Sequence, residues 1–274
     1  MRENGNNHKV AKVDQLSTDV LRSFVQNELC AIHVPRYCDP YLCRQLGEWF
    51  AYNPELENYT HEIRNDDGVK YLEYGVERLG VPFNSTYGKK LDSPEKTLYY
   101  DLASKGIRRV REKYAPHLSP IDKLRLELDE LWPRGANVAA FEGRKMFVGI
   151  GRVMRAETSN IAEFQPHFDA VPQALANLQA QYAANIYLVM PEQGGELELW
   201  EAPPISLDQL ENEDVDHDWR SELPSSFLVT PRQGDLIIFN ARRPHAIRSF
   251  PNGYRVTLQS FLGLTESQSI VFWN

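Results

Sequence analysis

Residues 163–172 read EFQPHFDAVP, which sets His167 and Asp169 two positions apart among aromatic and apolar neighbours. On an extended segment, side chains two apart share a face at a separation of about 6.6 Å. That spacing lets both close on one metal ion. A third ligand is offered by His245 in GDLIIFNARRPHAIRSF, where it follows an apolar run and a turn containing Asn240 and Pro244. Two imidazoles and a carboxylate on one face of an octahedral ion leave three positions open, a donor set suited to ferrous iron. Zinc accepts similar ligands, so these residues alone do not choose the metal.

Ten positions beyond His245 comes YRVTLQSF, in which Arg255, Thr257 and Gln259 share one strand face and Val256 and Leu258 the other. An arginine turned into a protein interior needs a carboxylate, because a buried unpaired charge is costly. A guanidinium fork beside a hydroxyl fits a dicarboxylate held through paired hydrogen bonds. The competing partner is a structural carboxylate, Glu196 or Glu198, although alternation with Leu197 and Leu199 turns both glutamates toward solvent.

Several elements must position these groups. Residues 1–12 are polar and are expected to be disordered; residues 13–135 are expected to give mainly helical support. A short helix is expected within VDQLSTDVLRSFVQNEL, then a strand in CAIHV ended by Pro35, then a helix opened by Asp39 and Pro40. Residues 54–92 lack a clear period and read as loop with short strands. Two further helices open with Ser-Pro after Ser93 and Ser119. From residue 136 the period becomes that of short β-strands broken by Gly, Pro and Asn turns, including NIAEFQPHFDA. Within it, the acidic stretch PPISLDQLENEDVDHDWRSELP reads as an insertion loop, its His217 a solvated surface residue. The chain is expected to be one α+β domain, 1–274, with a jelly-roll core over 136–274.

The ordered set His167-Phe-Asp169, distal His245, and Arg255-Val-Thr257 resembles the Fe(II)/2-oxoglutarate-dependent dioxygenases, and GGELELW and GDLIIF resemble their intervening strands. The resemblance spans roughly residues 140–265. It implies a double-stranded β-helix and, as cofactors, Fe(II), the co-substrate 2-oxoglutarate and O2. It implies iron at His167, Asp169 and His245, with Arg255 and Thr257 on the distal carboxylate of 2-oxoglutarate. The expected chemistry is hydroxylation of a small polar metabolite with release of succinate and CO2. Desaturation, ring closure and demethylation remain alternatives within the same chemistry. Related halogenases carry Gly or Ala where Asp169 stands, so hydroxylation is favoured. The segment LGVPFNSTYGK is similar to the stand-alone hydroxylases and halogenases of amino acids and alkaloid-type metabolites. The alternatives outside the family are a cupin-like zinc or manganese enzyme, for which Arg255 and Thr257 lack a purpose, and a non-catalytic sandwich.

Candidate substrate residues are Arg152, Phe164, Phe83, Asn84 and Trp200. Arg152 is a lone charge on the face shared by Met146, Val148, Ile150 and Met154, so it either pairs structurally or meets an anionic substrate. The aromatics are candidate pocket walls whose competing role is plain core. With 30 Lys and Arg against 38 Asp and Glu, the net charge is −8, which gives nucleic acid no general attraction. The N-terminus lacks the apolar run of a secretory signal, and the chain has no apolar stretch of roughly 18 residues. A cytoplasmic protein acting on a small molecule, without nucleic-acid or membrane partners, is expected; the oligomeric state is left open. Cys30, Cys38 and Cys43 match no metal or redox spacing.

Overall fold

A computed structural model describes residues 9–65, 68–87, 89–156, 162–171, 177–205 and 219–274. Local signals account for the helices: α1 (Thr18–Val25), α2 (Pro40–Ala51), α3 (Pro94–Tyr114) and α4 (Pro120–Leu131). Each begins on a side-chain cap. Asp39 Oδ1 accepts from the Tyr41 and Leu42 amides at 2.9 and 3.2 Å, and Ser93 and Ser119 accept from Lys96 and Asp122. Proline at the first helical position of α2, α3 and α4 removes a donor that would have no partner there.

The strands are β1 (Val10–Lys12), β2 (Ala31–Val34), β3 (Glu57–Asn65), β4 (Gly68–Leu79), β5 (Ala136–Val138), β6 (Ala140–Phe141), β7 (Arg144–Lys145), β8 (Ile150–Arg155), β9 (Leu178–Val189), β10 (Leu197–Trp200), β11 (Ser226–Val229), β12 (Leu236–Asn240), β13 (His245–Ile247), β14 (Tyr254–Thr265) and β15 (Ile270–Trp273). The large sheet runs β1-β2-β12-β9-β14-β8-β4-β3, with β15 joining β14 and β5; a smaller sheet runs β11-β10-β13. The two are the layers of a jelly roll, and the fold class is α+β with a double-stranded β-helix core.

Both faces of the central strands are covered, for different reasons. On the outer face Val153, Ala184, Ile186, Leu188, Ile238, Val256 and Leu258 pack with α1, α2 and α4 in one apolar core. Helix α2 comes so close that a Cβ on Gly47 would lie 2.4 Å from Val189, and one on Gly151 would lie 2.2 Å from Phe50. Glycine at both places is what lets helix and sheet touch. On the inner face Ala183, Tyr187, Ile237 and Phe239 meet Leu197, Leu199 and Val229 of the smaller sheet.

Four sequence expectations are corrected. Disorder over 1–12 fails at Val10–Lys12, which pairs in parallel with Ala31–His33; residues 1–8 lie outside the described residues. The pairing is with a strand some twenty residues on, so three residues carry no local trace of it. Residues 54–92, read as loop with short strands, hold two long ones instead: the β3–β4 hairpin, which extends the large sheet. Its described end is held by the Val76↔Met154 and Leu79↔Gly151 register and by the Arg78–Glu57 ion pair at 2.9 Å, which no apolar period betrays. NIAEFQPHFDA is not a strand: Ala162–Phe164 is a 3-10 turn and His167 forms a single bridge with His245. Pro166, lacking an N–H, helps limit the pairing to that bridge. Strand β15, which the sequence reading left out, closes the C-terminal end. His217 lies outside the described residues.

Candidate active site

The bridge His167↔His245 ties the loop before β9 to the first residue of β13. Each backbone amide donates to the other's carbonyl at 3.0 Å, and the Asp169 amide donates to the Ala241 carbonyl at 2.8 Å. These bonds bring the three side chains together: one ligand atom of His167, Asp169 and His245 each lies within 4.8 Å of the others, a group able to hold a metal ion. Both imidazoles are set the same way. Nδ1 of His167 faces the Gln165 carbonyl at 2.9 Å, and Nδ1 of His245 faces that of Arg243 at 2.9 Å. A carbonyl only accepts, so Nδ1 carries the proton and Nε2 turns to the centre. Phe239 stands edge-on to His245 with ring centroids 4.9 Å apart, an apolar wall behind the ligand.

The charges respond to this crowding. Burial, then the adjacent His245, hold the His167 pKa below the ordinary histidine value. Burial also lowers that of His245, but Asp169, with Oδ2 3.3 Å from Nε2, outweighs it and the net shift is upward. Asp169 is held below the carboxylate range; burial raises it, and the two histidines overcome that.

Along the same interior, β14 runs antiparallel to β8 and β9, pairing Thr257 with Arg152 and Tyr187, and Gln259 with Asn185. The register shifts between Val256 and Thr257, a bulge next to the cluster. Arg255, Thr257 and Gln259 are 2%, 1% and 3% exposed. Among the described residues Arg255 has no carboxylate partner. Its Nη1 reaches only Met154 Sδ at 3.6 Å, its guanidinium lies 5.0 Å from the Tyr187 ring centroid, and Nε and Nη2 find no hydrogen-bond partner among the described residues. Burial lowers its pKa, with the Tyr187 hydroxyl pulling the other way. The Tyr187 hydroxyl and Asn185 Oδ1 are orphaned in the same way. Buried polar atoms are nearly always satisfied. An interior with this many open donors around an arginine suits a small carboxylate ligand, and the imidazole–carboxylate cluster suits a ferrous ion.

Residues 153–263, which span the cluster and Arg255, match the family model of the 2OG-Fe(II) oxygenase superfamily. Over that stretch the chain carries a 2OG-Fe(II) oxygenase domain. This 2OG-Fe(II) oxygenase is 25% identical over 220 residues to the L-gamma-glutamyl-L-propargylglycine hydroxylase of Streptantibioticus cattleyicolor, a match covering 75% of this chain and 80% of that one. Among solved structures it is similar in fold to an N-substituted L-amino acid dioxygenase from Burkholderia ambifaria, with a TM-score of 0.50, 14% identity, and coverage of 80% of this chain and 100% of that one. The same dioxygenase in complex with alpha-ketoglutarate gives the same values. Fe(II) and 2-oxoglutarate are the metal and co-substrate of the oxygenase.

The candidate substrate residues divide. Arg152 faces the interior, yet is paired: Nη2 binds Glu163 and Nη1 binds Gln259 Oε1 at 2.8 Å. Phe164 packs edge-on against Phe250 at 6.4 Å, three residues ahead of His167. Asn84 reaches Tyr59, whose ring lies 5.8 Å from the Arg152 guanidinium. Phe83 is not a pocket wall. It is 1% exposed in a separate aromatic core with Tyr99, Tyr100 and Phe141, because the 3-10 turn that carries it packs on α3. Trp200 is corrected too: it follows Leu199 on β10, so it points away from the interior and packs under the Arg220 guanidinium at 5.3 Å. On that face Glu198 is buried, not solvated. It binds Arg220 at 2.8 Å and Ser226 at 2.6 Å, a cover supplied by the helical turn Trp219–Glu222. Sequence reasoning missed Glu163, Asn185, Tyr187 and Tyr59. Glu163 sits four residues before His167, a spacing that a turn makes adjacent; the others depend on cross-strand register.

Proposed function

We propose that the oxygenase hydroxylates an unactivated C–H bond of a small polar metabolite, an amino acid or natural-product intermediate, with release of succinate and CO2. One observation carries this reading: a three-ligand cluster shares an interior with a buried arginine whose Nε and Nη2 have no hydrogen-bond partner among the described residues. In it, His167, Asp169 and His245 hold the iron, and Arg255 and Thr257 hold the distal carboxylate of 2-oxoglutarate. The whole chain, 1–274, acts as one domain, since β1 and β2 pair within the same sheet as β12 and β14.

Bound iron and 2-oxoglutarate supply an oxidant that removes a hydrogen atom from the substrate, at the expense of O2 and the keto acid. The protein's own residues supply the rest. The Nδ1–H bonds to Gln165 and Arg243 fix each ring with its Nε2 lone pair directed at the metal position. Arg255 meets the diacid with a rigid fork, and the neighbouring Tyr187 hydroxyl gains a partner. Phe239 covers the His245 ring, which is 5% exposed, against bulk water. The S. cattleyicolor relative, a hydroxylase of a γ-glutamyl amino acid, supports the amino-acid class.

The test begins without oxygen. Adding Fe(II) and then 2-oxoglutarate is expected to raise a visible metal-to-ligand charge-transfer band, absent in His167→Ala. With oxygen restored, the true substrate is expected to stimulate succinate formation. A native protein that takes up iron yet never develops the band sinks the reading.

A further inference from the structure

Beside the triad lies a charge pair that neither the metal nor the diacid requires. Glu163 and Arg152 form an ion pair with side chains 9% and 14% exposed. Glu163 Oε2 is 3.6 Å from His167 Nε2, so the pair borders the metal position itself. Its surroundings are polar on one side: Gln259 holds Nη1 of Arg152, and the Tyr59 ring, with Asn84 next to it, faces the guanidinium. A buried pair of this kind adds little net stability, because desolvating both charges offsets their attraction.

We propose that Arg152 and Glu163 are the receptor for the head group of an α-amino acid: the internal pair opens, Arg152 takes the carboxylate and Glu163 takes the ammonium. The inference rests on the oxygenase reading and narrows its substrate class. The reason is a balance of buried charge. Before binding, one arginine faces one glutamate; after binding, each faces the opposite charge of the zwitterion, and no charge is left alone. A carboxylic acid without the amine strands Glu163. An amine without the carboxylate strands Arg152. Either outcome is strongly disfavoured in a desolvated site, which makes the pair a filter by rejection as well as a docking point. The planar fork of Arg152 has two nitrogens on the side that now holds Glu163 and Gln259, the arrangement a carboxylate meets with two parallel bonds.

The test uses the iron- and 2-oxoglutarate-loaded protein without oxygen, so that the charge-transfer band reports the loaded site while calorimetry reports binding. The probes are the proteinogenic L-amino acids, each binder then being compared with its deamino and descarboxy analogues. On the native protein the zwitterion is expected to bind about a hundredfold more tightly than either analogue. Glu163→Gln is expected to abolish or reverse the preference over the deamino acid while the band is retained. Should Glu163→Gln fold poorly, the neutral double variant Arg152→Gln/Glu163→Gln is expected to bind the amino acid and its two analogues alike. A purely structural pair would scale every affinity by one factor and leave the ranking intact, which overturns the proposal. So does failure of every amino acid to bind while the band is present. Loss of the band in the native protein removes the oxygenase reading instead, and the two failures are thereby told apart.

Discussion

Arg152 and Arg255 stand on adjacent strands of one inner sheet face, and the protein treats them in opposite ways. At the Arg152 end, Glu163 and Gln259 take up the guanidinium nitrogens. At the Arg255 end, Nε, Nη2, the Tyr187 hydroxyl and Asn185 Oδ1 meet no well-formed hydrogen-bond partner among the described residues, and a ring face and a thioether lie against the cation. The first end is complete in the resting protein and must rearrange to bind anything. The second is incomplete and gains by binding. One interior thus offers a site that selects by exchange and a site that waits to be filled.

The largest expected effect removes what both ends serve. His245→Ala is expected to lower bound iron and bring substrate-driven succinate formation to background, read by metal analysis and product assay; full activity in that variant would dissolve the comparison. Next comes stability of the metal-free protein in urea. Arg152→Leu strands the Glu163 carboxylate and is expected to cost about 3–5 kcal/mol, whereas Arg255→Leu removes an unpaired charge and is expected to be neutral or stabilising. Equal losses in the two variants would show that the ends do not differ. In binding the order inverts: Arg255→Leu is expected to weaken 2-oxoglutarate by about 3 kcal/mol, roughly a hundredfold in Kd. Tyr187→Phe, which deletes one orphaned hydroxyl, is expected to weaken it by about 1 kcal/mol or less with stability unchanged.

A smaller contrast sharpens the point away from the pocket. Asp235 is buried but fully served, accepting from His33 at 2.7 Å and from the Arg36 and Arg232 amides at 2.9 Å each. Burial raises its pKa, and these bonds more than reverse that, leaving it below the ordinary value. Its contribution is therefore complete above the unfolded pKa of about 3.9 and lost as pH falls through the lower folded one. Asp235→Asn is expected to flatten the acid limb of the stability profile; an unchanged limb would assign that limb to other carboxylates.

Much of the candidate site was legible because its residues announce themselves by type and order: His167 and Asp169 stand two apart ahead of an apolar strand, and His245, Arg255 and Thr257 are unusual on otherwise apolar strands. The helices were legible from their Ser-Pro and Asp-Pro openings. What escaped was whatever depends on which strand lies beside which. Tyr187 and Asn185 join Arg255 only through the β9–β14 register. Glu198 alternates with leucines as an exposed residue should, and is buried only because Arg220 folds back over it. The hairpin β3–β4 and strand β1 are held by distant partners, so their own composition says little.

Both ring-orienting acceptors, the carbonyls of Gln165 and Arg243, belong to the main chain. No exchange of a nearby side chain can delete them. The imidazoles are thereby insulated from changes in the walls around them, and a lineage of such proteins is free to reshape what it admits while the aim of both rings stays put.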